Sequence, residues 1–395
     1  MAADQAADAD SDGFRKGVTW NESESYRDAV SLRRGRRLTT RGQYNLTPSY
    51  HTDNCFTADG RRLVFLSRRG GLAAVCCADV TTGDLTVLTD PLPAADVYMD
   101  EASFAAEAGW VLYNTKRAAL AVHIDTLRER VVRRVDPTTE RLSIPGITAD
   151  GRSVAYTVFP ATPPTVAATG NPLDEYRYFT ENRSMRIRLM ETDLDGSPER
   201  LLYEENECCC GHVQYAPANR DLLLMDKGYA PLFDWGSDGV RNRVHVFERG
   251  SGLTRPLPPR CGKPFQVHST WSFDGRRVVY HGWLGRDNHS GWHFSVLEPD
   301  GTVEREFEFP GACHYGHISA AADRPALILD GNLTPDLLLW LYMDRDAPRL
   351  EVIGRHGTEW GAQVSHPHAH NSRDGRFVSF NTARNGRVDV CVLEI

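Results

Sequence analysis

Asp59-Gly60-Arg61 leads straight into Leu63-Val64-Phe65-Leu66, and the same arrangement returns three times. Asp150-Gly151-Arg152 precedes Ser153-Val154-Ala155-Tyr156, Asp274-Gly275-Arg276 precedes Val278-Val279-Tyr280, and Asp374-Gly375-Arg376 precedes Phe377-Val378-Ser379-Phe380. Asp-Gly ahead of an apolar, β-branched run is a strong hairpin signal. Degenerate copies stand at Ala108-Gly109, Asn219-Arg220 and Asp323-Arg324. Seven copies therefore recur about every 40–55 residues, with one wider gap near 70. In each, a short strand precedes the turn, a β-branched strand follows it, and a third strand ends at a second turn such as Thr82-Gly83-Asp84 or Pro299-Asp300-Gly301. Three or four antiparallel strands per repeat of this length is the pattern of a propeller blade. The expected fold is thus all-β, a seven-bladed β-propeller over residues 21–395 behind a disordered lead of residues 1–20. The last copy has too few strands before Ile395. A segment near Arg37–Thr40 is expected to supply the missing one, since an open sheet edge needs covering. The wide gap holds the Pro-rich stretch 160–172, read as a loop insertion.

Composition narrows the function. The 395 residues are 41% hydrophobic and 25% charged, with a formal net charge of −8. That balance argues against a general nucleic-acid or anionic-membrane surface. No window approaches the roughly 18 apolar residues of a membrane span. Nine cysteines, clustered at Cys76-Cys77 and Cys208-Cys209-Cys210, make a poor disulfide framework. Reduced thiols in a cytoplasm fit better. The cysteine run beside His212 lacks a second CxxC half, which argues against a zinc site there. No GxSxG elbow, Walker or GxGxxG motif is present.

Histidine recurs at one phase of the repeat. His51, His212, His268, His317 and His366 each stand six to eight residues before their turn marker, with His368 two residues beyond His366. Repeats arranged radially would bring these side chains to one funnel. The sharpest piece is Gln363-Val-Ser-His366-Pro-His368-Ala-His370. Alternate residues of a strand share a face, so His366 and His368 are expected to chelate one ion with the Gln363 amide oxygen. Imidazoles plus an amide oxygen, without cysteine, suit Mn²⁺, and also accept Zn²⁺ or Ni²⁺. Trp110, Trp271 and Trp340 sit in strand-like runs and read as core, whereas Trp235 and Trp360 read as loop residues. The arginine runs 33–37 and 128–134 read as solvated strand faces.

With these residues in view, the chain resembles the oligogalacturonate lyases, a family of Mn²⁺-dependent seven-bladed propeller polysaccharide lyases. The resemblance runs from about His51 onward. It rests on Cys55-Phe-Thr-Ala-Asp59-Gly60, Tyr178-Phe-Thr-Glu-Asn182, Gly211-His212, His268-Ser-Thr-Trp271-Ser-Phe-Asp274-Gly275, His317 with Leu329-Asp330-Gly331, and Gln363-x-x-His366-Pro-His368. It implies Mn²⁺ held by His317, Gln363, His366 and His368, a base at His268, and a substrate-carboxylate arginine at Arg243, with Arg241 as its rival. His212 would then act near the leaving oxygen, and His51 would line the sugar site. The implied reaction is β-elimination on an acidic, uronate-containing oligosaccharide, giving a 4,5-unsaturated uronate. The chain departs from the family at 226–234, at Ser269 and at Ala312–Gly316. A lyase of a glucuronate-containing glycan would use the same centre. A non-catalytic propeller that binds other molecules would share the repeat but has no need of the histidines.

Overall fold

The turn marker works as a small hydrogen-bonded device. In the computed structural model, Thr57, Thr148, Ser272 and Ser372 donate their hydroxyls to Asp59, Asp150, Asp274 and Asp374 at 2.6, 2.7, 2.6 and 2.6 Å. The same carboxylate oxygens accept the backbone N–H of Arg61, Arg152, Arg276 and Arg376 at 3.0–3.1 Å. Gly60, Gly151, Gly275 and Gly375 follow with φ of 67–70°, the left-handed region where a Cβ is strained. Space enforces the same choice. A Cβ on Gly375 would lie 2.4 Å from the Asp323 carboxylate, and one on Gly275 would lie 2.7 Å from Pro217. The marker of one repeat packs against that of the repeat before it.

The structure describes residues 13–47, 54–169, 174, 177–178, 181, 186–194, 197–206, 208–229, 242–258, 265–284, 291–309, 316–331, 336–343, 347–359 and 363–395. Almost all regular structure among them is β. One 4-residue helix, Pro164–Ala167, lies within the stretch read as an insertion. By compactness the chain divides into two units. One comprises Met1–Thr115, Leu120–Val131 and Tyr315–Ile395; the other comprises Lys116–Ala119 and Val132–His314.

In the first unit, one 11-stranded sheet collects the two ends of the described chain. Tyr44–Leu46, Arg62–Arg69, Leu72–Asp79 and Asp84–Val87 follow one another as antiparallel neighbours. Phe377–Arg384 pairs with Arg387–Glu394, whose far side takes Arg34–Arg37. A strand from the start of the chain thus covers the edge left open at its end. The strand is Arg34–Arg37, overlapping the expected segment near Arg37–Thr40: Gly35, Arg36 and Arg37 stand opposite Leu393, Val392 and Cys391, and Leu38 donates its N–H to Val390 O at 2.8 Å. Ile318–Ala320, Ala326–Leu329, Leu337–Tyr342 and Arg349–Arg355 form a separate four-stranded sheet.

The second unit holds a sheet around Ser153–Pro160 and two four-stranded sheets. One of these runs Cys208–Ala216, Asn219–Tyr229, Val244–Glu248, Leu253–Pro256. The other runs Val267–Trp271, Val278–Trp283, Trp292–Leu297, Val303–Phe309. Second and third strands such as Ser153–Pro160 and Trp292–Leu297 are buried along nearly their whole length, so both faces of these sheets are covered and their sequences read as apolar runs. Trp271 and Trp340 are buried in the core, as expected.

The lead is shorter than expected. Phe14 is buried, and Thr19–Asn21 pairs with Asp84–Val87. Apolar contact and charge hold this segment down. Arg69 donates to both oxygens of Glu22, at 2.9 and 2.8 Å, while its guanidinium lies 4.9 Å over the Trp20 ring. Among the described residues, no helix is long and apolar enough to cross a membrane.

Candidate functional site

Three histidines of the first unit meet. The ring nitrogens that His317, His366 and His368 can offer lie within 4.8 Å of one another. His317 enters the sheet just after Gly316, whose φ is +66°. His366 and His368 do not alternate on a strand, as the sequence had implied. Pro367 has no N–H for a ladder, Gln363–Ser365 forms a single 3-10 turn, and the strand begins only at His370. What aims His368 is its own backbone, at φ +43°, a conformation that a bulky residue keeps only under constraint. The constraint is visible. Asp330 accepts the His368 N–H at 3.0 Å, and Asn381 donates its N–H to Pro367 O at 2.7 Å.

Asp330 does more than hold the backbone. Its carboxylate accepts the His317 N–H at 2.6 Å and the His317 Nδ1–H at 3.0 Å. An acceptor on Nδ1 fixes the tautomer that presents the Nε2 lone pair, the usual support of a metal-bound imidazole. Burial holds the pKa of His368 well below its ordinary range, helped by the neighbouring imidazoles of His317, His366 and His370. It therefore stands as a neutral donor, the form a cation requires. Three imidazoles backed by one buried carboxylate fit a borderline divalent ion. Gln363 has its backbone in the turn before His366; its side chain lies outside the described residues. His370 is buried as well.

A second cluster stands in the second unit. The Asp226 carboxylate is buried and gathers three partners. His212 Nδ1 lies 3.0 Å from Oδ2, Arg243 Nη2 lies 3.4 Å from the same oxygen, and Ser269 donates to Oδ1 at 2.6 Å. Burial alone would raise the Asp226 pKa, but Arg243 and His212 outweigh it and hold the group below its ordinary value. Arg243 is fixed further by Gln266, which accepts its backbone N–H at 2.7 Å. His268 Nδ1 lies 2.8 Å from His281 Nε2. His51 and Arg241 lie outside the described residues, as do Trp235 and Trp360.

His212 and His268 share the backbone signature of His368, each at φ +51°. The cause is a β-bulge. Gly211 pairs with Asp226 and Gln214 with Leu224; Val267 pairs with His281 and Thr270 with Val279. In each sheet three steps on the first strand match two on the second, so one extra residue is turned out. The partner on the facing strand is what residue-type reasoning missed. Asp226, His281, Asp330 and Asn381 each stand seven residues beyond Asn219, Asp274, Asp323 and Asp374. Aligning the repeats on their turns and asking which carry a polar residue at that offset would have found them.

No family profile matches the chain, and no curated protein matches it. Solved structures do. An oligogalacturonate lyase in complex with manganese superposes with a TM-score of 0.78 at 18% identity, covering 96% of this chain and 98% of the other. Oligogalacturonate lyase from Vibrio parahaemolyticus gives 0.76 at 17% identity, with the same coverage. A chain of the mitotic checkpoint complex gives 0.53 at 10% identity, over 90% of this chain and 96% of the other. At these identities the likeness is one of fold, and the fold is that of the oligogalacturonate lyase structures.

Proposed function

We propose that the protein is a metal-assisted lyase of uronate-containing oligosaccharides. The observation that carries this reading is the His317–His366–His368 cluster with Asp330 behind it. We further read the sheets as the blades of a seven-bladed β-propeller, the 11-stranded sheet counting as two, which the lyase structures of like fold support. His317, His366 and His368 would hold the ion, with Gln363 as a fourth ligand. Bound there, Mn²⁺ or a similar dication would act as a Lewis acid on the uronate carboxylate, since neutral ligands leave most of its charge for an anionic substrate.

In this reading His268 takes the weakly acidic C5 proton on its Nε2 lone pair. The electrons of that C–H bond become the C4–C5 double bond as the C4–O bond breaks. His212 returns a proton to the leaving oxygen, its Nδ1 held by Asp226. Arg243 contributes positive charge toward the substrate carboxylate, and its pairing with Asp226 fixes the guanidinium plane. His51 and Arg241 are proposed to contact the sugar. The substrate is an acidic oligosaccharide, and nucleic acid and membrane are not expected partners. A cytoplasmic location is proposed, in keeping with the buried thiols of Cys55, Cys76, Cys77 and Cys391.

The test is the ultraviolet absorbance of the conjugated product after incubation with Mn²⁺ and a panel of galacturonate and glucuronate disaccharides. A signal abolished by chelator and by His268→Ala is the expected result, and the responding sugar names the substrate. A purified protein that binds no divalent ion and cleaves nothing on the panel would sink the reading in favour of a non-catalytic propeller.

A further inference from the structure

One slot of the repeat is filled in two chemically different ways. Seven residues beyond the turn, two sheets carry a carboxylate under their histidine, Asp226 under His212 and Asp330 under His317. The sheet that carries His268 has His281 there instead, with Nε2 2.8 Å from His268 Nδ1. His281 is fully buried. Its ring is stacked on Trp292 at 4.9 Å and 19°, and on Phe294 at 5.3 Å and 17°. Phe294 is also its cross-strand neighbour. Those two rings fix the imidazole plane, so Nε2 is aimed at His268 by packing.

We propose that His281 is the positioning residue for His268. It accepts the Nδ1–H and so places the Nε2 lone pair of His268 toward the proton to be removed. As an imidazole it also withholds the fixed negative charge that the sheets of His212 and His317 carry at this slot. A carboxylate there would favour the imidazolium and keep a proton on the base at mildly acidic pH. The inference rests on the reading of His268 as the base. Among the described residues, the titratable groups on the elements packed against the pair have partners of their own. On the adjoining sheet Asp226 is taken up by His212, Arg243 and Ser269. On the third strand His293 Nε2 lies 3.0 Å from Phe265 O, and Ser295, 3.2 Å from His293 Nδ1, donates onward to Glu306.

The experiment compares His281→Gln, His281→Ala and His281→Asp in the full, metal-loaded chain, with thermal unfolding and metal content as controls. Gln keeps an acceptor near the position of Nε2. Expected is near-normal kcat for His281→Gln, a loss in kcat of about 10- to 100-fold with KM held for His281→Ala, and for His281→Asp a shift of about one unit upward in the acidic limb of the kcat–pH profile. An independent readout needs no turnover. Histidine-selective ¹⁵N spectra of the Zn²⁺-loaded protein, with His268→Gln to assign the signal, are expected to show His268 protonated on Nδ1 and to lose that preference in His281→Ala. If His268 shows the other tautomer, or folded His281→Ala keeps wild-type kcat and pH profile, the positioning role is overturned. If His268→Ala stays active while the Nδ1 tautomer is confirmed, it is the base assignment that fails.

Discussion

The pairs His317–Asp330 and His268–His281 occupy one place in two sheets of the same design, and they differ by a charge. Under His317 the acceptor is a carboxylate that also takes two backbone N–H groups. Under His268 it is an aromatic-sandwiched imidazole. Both fix a tautomer, and only the first adds negative charge. A site meant to hold a cation gains from that charge, because it strengthens the imidazole as a donor. A site meant to accept a proton and release it again each turnover does not. Under the proposed function, the repeat thus supplies position, and the residue on the facing strand sets what each histidine is for.

The strongest way to break the comparison is to remove the metal pair. His366→Ala or His368→Ala is expected to abolish stoichiometric binding of a divalent ion and to lower lyase activity roughly 10³-fold or more. Elemental analysis of the purified variants beside the wild type checks this. Next in size is Asp226→Ala, which leaves the Arg243 guanidinium, only 12% exposed, without its carboxylate. Breaking a buried pair in this way costs about 3–5 kcal/mol, measurable as a lower midpoint in urea. The sign of its pH dependence follows from the depressed folded pKa. The contribution of Asp226 is present above the ordinary value of 3.8 and is lost as pH falls through the lower folded value. The acid limb of the stability curve should therefore flatten in the variant.

A smaller effect is expected from Asp330→Asn, which keeps an acceptor but loses the charge. Metal affinity should fall about 10- to 100-fold with the fold intact, as isothermal titration would record. An unchanged affinity would mean that Asp330 acts on His317 through orientation alone. The smallest effect concerns His245, whose pKa burial pushes down to about 4 from an ordinary 6.5. Between those values the unfolded chain binds the proton and the folded one does not, so stability falls as pH drops from 6.5 toward 4. His245→Gln should remove that slope, worth roughly tenfold in the unfolding equilibrium at pH 5.5 by a one-unit linkage.

Much of this was legible in the residues. The Asp-Gly turns announce themselves because only glycine fits a φ near +70°, as at Gly375, and because the Asp side chain closes its own turn. The clustered histidines are legible because so few side chains bind borderline metals. Asp330 and His281 were not read as site residues, since an isolated Asp or His inside an apolar run carries no local mark. Their meaning lies in cross-strand register, set by a bulge for His281 and by regular pairing for Asp330. Pro367 and the 3-10 turn at Gln363–Ser365 explain why His368 was wrongly given a strand's alternation. The ordered start of the chain was hidden for another reason. Phe14 and Trp20 are lone apolar residues in a polar stretch, and their partner, the Arg69–Glu22 pair, is itself split by 47 positions.

The pairing of Arg34–Arg37 with Arg387–Glu394 has a consequence for how the molecule comes into being. As the chain leaves the ribosome, Arg34–Arg37 is made well before its partner strand on this side, which follows some 350 residues later. Until then that early strand waits with one edge exposed, and the loop it must close is among the longest available to the chain. Closure of this sheet is thus coupled to the synthesis of Arg387–Glu394. Shorter nascent chains carry an unpaired edge that chaperones, or one another, are free to meet.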